Sequence, residues 1–265
     1  MPGAIDHHVH IRLSDPRSVL HGGVTFCRDL AWAPEEIFPL VDISQGTDFE
    51  GPAIVAAGPM ITAVGRVAAQ DPAIIKVSLN SEAGPTLSDA ELVAICGAAH
   101  GRDLSVTAHV EGRGEAERAL GAGVDELAHC PWTERLPDEV VEALARRTRV
   151  VSTLDIHGHG TRTPELDVAV DNLRRFAEAG GRVRYGTDLG NGPIPPGIHA
   201  TEAAHLSAAG LAPEAILRAM TLAPLRAGSE GDVVGLRGNP FEDLSALGRV
   251  ELVVSRGKIR RYHSP

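Results

Sequence analysis

The sequence predicts an α/β fold: a (β/α)8 TIM barrel with a small, truncated β-sheet appended by the carboxyl-terminal strands. Three observations predict it. β-Branched, strand-like runs alternate with helical patterns eight times, which is the stoichiometry of a barrel. The 265 residues lie close to the ~250 typical of that architecture. Polar, chemistry-bearing side chains close the strands, and a barrel projects its functional groups from the carboxyl ends of its strands. An open doubly wound sheet is the alternative, and eight units at this length favour the barrel. The barrel is assigned to 1–225 and the small β segment packed beside it to 226–265.

The first strand lies within Pro2-Gly-Ala-Ile-Asp-His-His-Val-His10, where Ile5, His7 and Val9 alternate with Asp6, His8 and His10. A short connection leads to strand two, 24–30. Residues 34–45 form its helix, with Pro34 in the first turn and Glu35 and Glu36 at the positive amino end. Strand three, 53–57, is wholly apolar, and 58–72 has no helical face and reads as a loop. Strand four is 74–79. Ser88 then opens a helix through His100, with Glu91 completing a capping box. Strand five is 104–109, followed by a short helix over 114–121. Strand six is 124–129, with a helix over Asp138–Arg147. Strand seven is 150–154, and the helix over 165–179 stops at Gly180-Gly181. Strand eight is 182–188, followed by helices over 199–209 and Pro213–Ala219. Short strands at 232–236, 251–255 and 258–262 make the small sheet, with a hairpin turn at Gly257-Lys258.

Composition narrows the function. Aromatics are only 3%, so the core is built from Val, Ile, Leu and Ala. A formal charge of −10 without a long run of like charge argues against nucleic acid. Cys27, Cys96 and Cys130 are an odd, widely spaced set, which points to a reducing compartment. No signal-peptide pattern and no apolar run of ~20 residues is seen. The expectation is a cytoplasmic protein with a small-molecule substrate and no membrane partner.

The strand ends carry the chemistry. Residues two apart on a strand share a face, so His8 and His10 present their imidazoles side by side. Strand four carries Lys76 in an apolar run; strands five, six and eight end in His109, His129 and Asp188. Singly, each has a bland account: a hydrogen-bonded rim histidine, an edge lysine, a capping aspartate. Jointly they exceed what one zinc needs, since zinc is usually four-coordinate, and they suit two divalent metals. An ammonium cannot ligate a cation. Lys76 is therefore either neutral or converted by carbon dioxide to a carbamate, an anionic two-oxygen bridge.

Other residues are more open. His157 and His159, beyond strand seven, belong to a rim loop, a substrate contact or a stray third metal site. Arg113 is a solvated helix-start arginine or a fork for a substrate carboxylate. Arg28-Asp29 reads as a structural ion pair at the barrel mouth or a substrate contact. His7 faces away from His8, into the core or behind the site. His21, His100, His199, His205 and His263 carry no pattern.

The motifs resemble the amidohydrolase superfamily, binuclear metal-dependent hydrolases on a (β/α)8 barrel. The segment Pro2 to His10 is similar to that family's opening motif. Gly22-Gly-Val-Thr-Phe-Cys-Arg-Asp29, Gly51-Pro-Ala-Ile-Val-Ala-Ala-Gly-Pro-Met-Ile-Thr62 and Ile75-Lys76 resemble the branch of imidazolonepropionase-like proteins and metal-dependent prolidases. So do Gly123-Val-Asp-Glu-Leu-Ala-His129, Tyr185-Gly-Thr-Asp188, the segment Ala209 to Thr221 and Gly238-Asn-Pro-Phe-Glu-Asp243. The resemblance implies that His8, His10 and Asp188 bind the more buried of two zinc ions. It implies that His109 and His129 bind the other and that carboxylated Lys76 bridges them. It implies hydrolysis of a C–N bond in an amide, cyclic amide or dipeptide-like substrate by a bridging hydroxide, with Asp188 moving the proton.

The alternatives are a lactone or ester hydrolase at the same site, a mononuclear deaminase, and a non-catalytic metal-binding relative. Deaminase relatives carry a glutamate three residues after the strand-five histidine; Gly112 stands there, with Glu111 one residue early. The family usually has strands before the opening motif, and 225–232 looks shortened. An incomplete β-sandwich is therefore expected, with unpaired edges that predict a homo-oligomer.

Overall fold

Two runs of parallel strands, in chain order, make the barrel wall. The structure, a computed structural model, describes residues 1–63, 72–221 and 231–262. The first run is β1 (Ala4–Val9), β2 (Val24–Asp29) and β3 (Ala53–Ala56). The second is β4 (Ile75–Asn80), β5 (Val106–Glu111), β6 (Glu126–Leu127), β7 (Arg149–Val151) and β8 (Arg182–Arg184). Two seams join them into a closed barrel. At one, Ala73 N donates to Ala56 O at 3.0 Å and Ile61 N to Lys76 O at 2.8 Å. At the other, His7 N donates to Tyr185 O at 3.0 Å and Asp188 N to His8 O at 2.8 Å. This second seam sets Asp188 against the first strand's histidines. Gly186 permits that approach: a Cβ there would lie 3.1 Å from His8 N and also 2.3 Å from Val151 Cγ1 on β7.

The helices follow their sequence signals. They are α1 (Pro16–His21), α2 (Pro34–Ser44), α3 (Asp89–His100), α4 (Glu115–Ala122), α5 (Asp138–Arg147), α6 (Pro164–Glu178), α7 (Ala200–Ala208) and α8 (Pro213–Ala219). The Ser88–Glu91 capping box forms. Helix α1 stands where only a short connection was expected. Asp15 caps it by accepting from Arg17 N and Ser18 N at 3.1 Å, and Pro16 opens it.

Strands six to eight leave the ladder earlier than the sequence suggests, and beyond strands seven and eight the backbone bends. Thr153 and Asp188 have φ of +40° and +58°. Such backbone costs about 1–3 kcal/mol per residue and persists only where the surroundings impose it. Asp6 imposes part of it, accepting from Thr187 N at 3.1 Å and Thr187 Oγ1 at 2.6 Å.

The core is aliphatic, with Tyr185 its largest fully buried side chain. An ionic layer crosses the barrel beneath the site. Arg28 on β2 pairs with Glu126 on β6, and Glu126 also faces Arg184 at 3.2 Å and Arg149 at 3.9 Å. This corrects the expected Arg28–Asp29 pair. Asp29 instead accepts from the Ile11 and Ala31 amides at 2.8 and 3.2 Å. Two neighbouring side chains alternate faces on a strand, so one interior partner cannot serve both. Register places Lys76, Thr107 and Glu126 side by side, which fixes Lys76 in the interior row.

The carboxyl-terminal sheet is antiparallel, in the order β11 (Lys258–Tyr262), β10 (Val250–Ser255), β9 (Val233–Leu236). Its hairpin turns at Arg256-Gly257, one residue earlier than expected. Both residues have positive φ, as a two-residue type I′ connection requires. Met1 exchanges hydrogen bonds with Val234 at 2.8 and 2.9 Å, so the first residues occupy the outer edge of β9. The expected shortening over 225–232 and the boundary at 225 fall largely or wholly outside the described residues, as do His263 and most of 58–72. Among the described residues no helix is long and apolar enough to cross a membrane.

Glu126 is fully buried among three guanidinium groups. Glu126→Leu leaves those cations uncompensated and is expected to destabilise the fold by about 3–5 kcal/mol. Urea unfolding checks this, with an unchanged midpoint as the contrary result.

Candidate metal centre at the barrel mouth

Four imidazoles and a carboxylate meet at or just beyond the ends of four strands, β1, β5, β6 and β8. Both His8 Nε2 and His10 Nε2 face the same oxygen, Asp188 Oδ1, at 3.3 and 3.2 Å. The three candidate ligand atoms lie within 4.8 Å of one another. His129 lies 4.5 Å from His8 and 4.8 Å from His109, ring centre to ring centre. Lys76 is buried in the row below.

Hydrogen bonds decide which ring nitrogens are free. His8 Nδ1 lies 2.8 Å from Ala128 O and His10 Nδ1 3.2 Å from Ala31 O. A carbonyl only accepts, so each Nδ1 carries a proton, and a neutral ring presents its lone pair at Nε2. His109 is reversed: its Nε2 donates to Glu111 Oε2 at 3.0 Å, leaving Nδ1 free. Asn80 Nδ2 holds the same carboxylate oxygen at 2.6 Å. His129 Nδ1 meets the Thr153 hydroxyl at 2.9 Å. Fixing one nitrogen so that the other can ligate is the usual support of metal-binding histidines.

The electrostatics agree. Burial pushes His8 and His129 well below the ordinary histidine value, so both rings are neutral. Burial would raise Asp188, but His8, His10 and Asn191 outweigh it and leave the carboxyl at about 2. For His10, burial opposes protonation but Asp188 prevails and raises it. A proton on His10 can therefore fill one contact to Asp188, while the lone pair of His8 still faces a carboxylate. That arrangement fits a cation between them. Burial brings the Lys76 amine down to about 7, and it has no hydrogen-bond partner among the described residues.

The remaining predicted residues fall at different places. His157 stacks on Trp132 at 4.4 Å with 29° between planes, and Trp132 lies 5.6 Å from both His109 and His129. His159 is exposed and packs against Gly192. Arg113 is 86% exposed and paired loosely with Glu134 at 3.7 Å, away from the cluster. Glu111, Thr153 and Trp132 were not singled out as site residues from sequence. Glu111 and Trp132 carry a signal in their spacing, following the strand-end His109 and His129 closely, whereas Thr153 has none.

Sequence reasoning also passed over His199 and His205. Both close on Asp155, at 2.7 and 3.0 Å, and Glu202 accepts from Leu154 N and Asp155 N at 3.0 and 2.8 Å. Helix α7 thereby anchors the loop that carries His157. Burial opposes ionisation of Asp155, but the two histidines hold its carboxyl well below the usual range, while Asp155 raises His205. The depressed acid contributes stability above an unfolded value of about 3.9, lost as pH falls further. The raised histidine contributes below about 6.5, lost as pH rises through its folded value. His205→Ala should therefore lower stability most between about pH 4 and 6.5, by about 1–3 kcal/mol. Denaturant unfolding across that range checks it; a pH-independent difference would contradict it.

The comparisons place the fold among known ones. A Xaa-Pro dipeptidase with bound methionine superposes with a TM-score of 0.76 at 19% identity, covering 97% of this chain and 86% of its own. The A. niger ochratoxinase gives 0.76 at 22%, covering 99% and 83%. Molinate hydrolase gives 0.78 at 16%, covering 97% and 82%. At these identities the likeness is one of fold. No curated protein matches the chain. The model of the Amidohydrolase family matches residues 60–236, and on that match this chain belongs to the amidohydrolase family as an enzyme of the amidohydrolase type.

Proposed function

We propose that the protein is a binuclear metal-dependent hydrolase that cleaves a C–N bond in an amide, cyclic amide or dipeptide-like substrate. The observation that carries this reading is the convergence of His8 Nε2 and His10 Nε2 on Asp188 Oδ1, above a buried Lys76. Family membership implies a divalent metal. His8, His10 and Asp188 would hold one ion and His109 and His129 a second, with carboxylated Lys76 between. An amine near 7 is partly neutral at neutral pH, and the neutral amine adds to carbon dioxide, giving a carbamate and releasing a proton. Glu111, engaged by His109 and Asn80, acts as an orienting group, which counts against the deaminase alternative.

Two bound cations would acidify a water and polarise the substrate carbonyl. Asp188 accepts the water's proton as the oxygen adds to the carbonyl carbon, then delivers it to the departing nitrogen. The dipeptide-like class draws support from the Xaa-Pro dipeptidase among the structural neighbours.

Asp188→Asn is expected to lower kcat about 10²- to 10⁴-fold. It should lose less metal than a His8→Ala, His10→Ala double variant. In ¹⁸O-labelled water the product carboxylate should carry the label. Near-native turnover of Asp188→Asn with its metals in place would refute the role. Lys76→Ala should lose activity and at least one metal, with partial rescue by short carboxylic acids; full activity would exclude the bridge. Thr153→Val should weaken zinc binding about 10- to 100-fold while Thr153→Ser does not. Chelator competition reads this, and equal affinities would remove Thr153 from the set of orienting groups.

A further inference from the structure

The geometry points to His157 as a catalytic residue whose Nε2–H donates a hydrogen bond to the carbonyl oxygen of the substrate as that oxygen becomes an oxyanion. This rests on the hydrolase reading above and assigns that reaction a protein donor.

His157 Nε2 is buried and has no hydrogen-bond partner among the described residues. A buried polar atom left unpaired is costly, and such atoms call for a partner that comes and goes. The ring is also held firmly. It stacks on Trp132, whose own edge contacts reach the rings of His109 and His129. Its backbone N donates to Leu154 O at 3.1 Å, and its carbonyl accepts from the Thr163 hydroxyl at 2.7 Å. The Asp155–His199–His205 cluster pins the start of the same loop. A donor fixed before the reaction needs no reorganisation when charge develops.

Trp132 ties His157 to the centre, since the one indole stacks on His157 and touches the rings of His109 and His129. Asp188 and His109 act on it electrostatically, with His159 the weakest of the three. Burial holds its imidazole at about 4, so at neutral pH it is an uncharged ring. A neutral imidazole can polarise a carbonyl without surrendering its proton. When water adds, the carbonyl π pair moves to oxygen; when the C–N bond breaks, the pair returns and the nitrogen takes the proton. His157 needs only to donate a hydrogen bond throughout, so its own protonation state does not change.

The test uses zinc-loaded full-length wild type, His157→Ala and His157→Asn, with methylphosphonate as a tetrahedral anionic probe in calorimetry. His157→Ala should weaken methylphosphonate binding about 10- to 100-fold at unchanged zinc content. His157→Asn, whose amide still donates, should recover most of the loss and keeps the test valid should the alanine variant not fold. On any amide that the wild type hydrolyses, His157→Ala should lower kcat more than it raises KM. Equal methylphosphonate affinity in wild type and His157→Ala overturns the assignment alone. Loss of zinc in both variants overturns it in favour of a metal ligand. Wild type that binds neither zinc nor methylphosphonate overturns the hydrolase reading itself, and this inference with it.

Discussion

A histidine lone pair and a carboxylate oxygen face each other at the buried mouth of this barrel, His8 Nε2 lying 3.3 Å from Asp188 Oδ1. The carbonyls of Ala128 and Ala31 hold the Nδ1 protons of His8 and His10, and both rings turn Nε2 toward Asp188 Oδ1, to which a protonated His10 donates while neutral His8 does not. In a buried site such a meeting is repulsive unless a cation lies among the atoms. The surrounding structure maintains it. The seam between β8 and β1 brings Asp188 to His8, Gly186 lets the strands approach, and Asp6 ties down Thr187.

Much of the surrounding structure serves orientation. Asp29 holds the Ile11 and Ala31 amides and so places the carbonyl that fixes His10. Thr153 reaches His129 from a backbone conformation that a β-branched residue rarely adopts. Glu111 and Asn80 turn His109 the opposite way from its neighbours. Below, Glu126 gathers Arg28, Arg149 and Arg184 into a layer that closes the barrel floor electrostatically. Rigidity at the mouth thus depends on charges and caps far from it in sequence.

The barrel and the six converging residues were legible because they follow local rules. Alternation places His8 with His10, and strand-helix repetition places His109, His129 and Asp188 at one end, with Lys76 one interior row below. What was not legible depends on contacts distant in sequence. Arg28 chooses Glu126, 98 residues away, over adjacent Asp29, because only one of two neighbouring side chains can face the interior. His199 and His205 gain their role from Asp155, 44 and 50 residues away. The bent ends of strands seven and eight answer to Asp6 and Gly186 rather than to their own propensities. Helix α1 was a different case: Asp15-Pro16 announced it locally, and its brevity hid it.

The central claim is that this mouth holds two cations. Zinc content of purified protein, measured by elemental analysis without chelator and after removal of any affinity tag, tests it most directly. Two ions per chain is the predicted result; a reproducible value near one in fully loaded, active protein would contradict it.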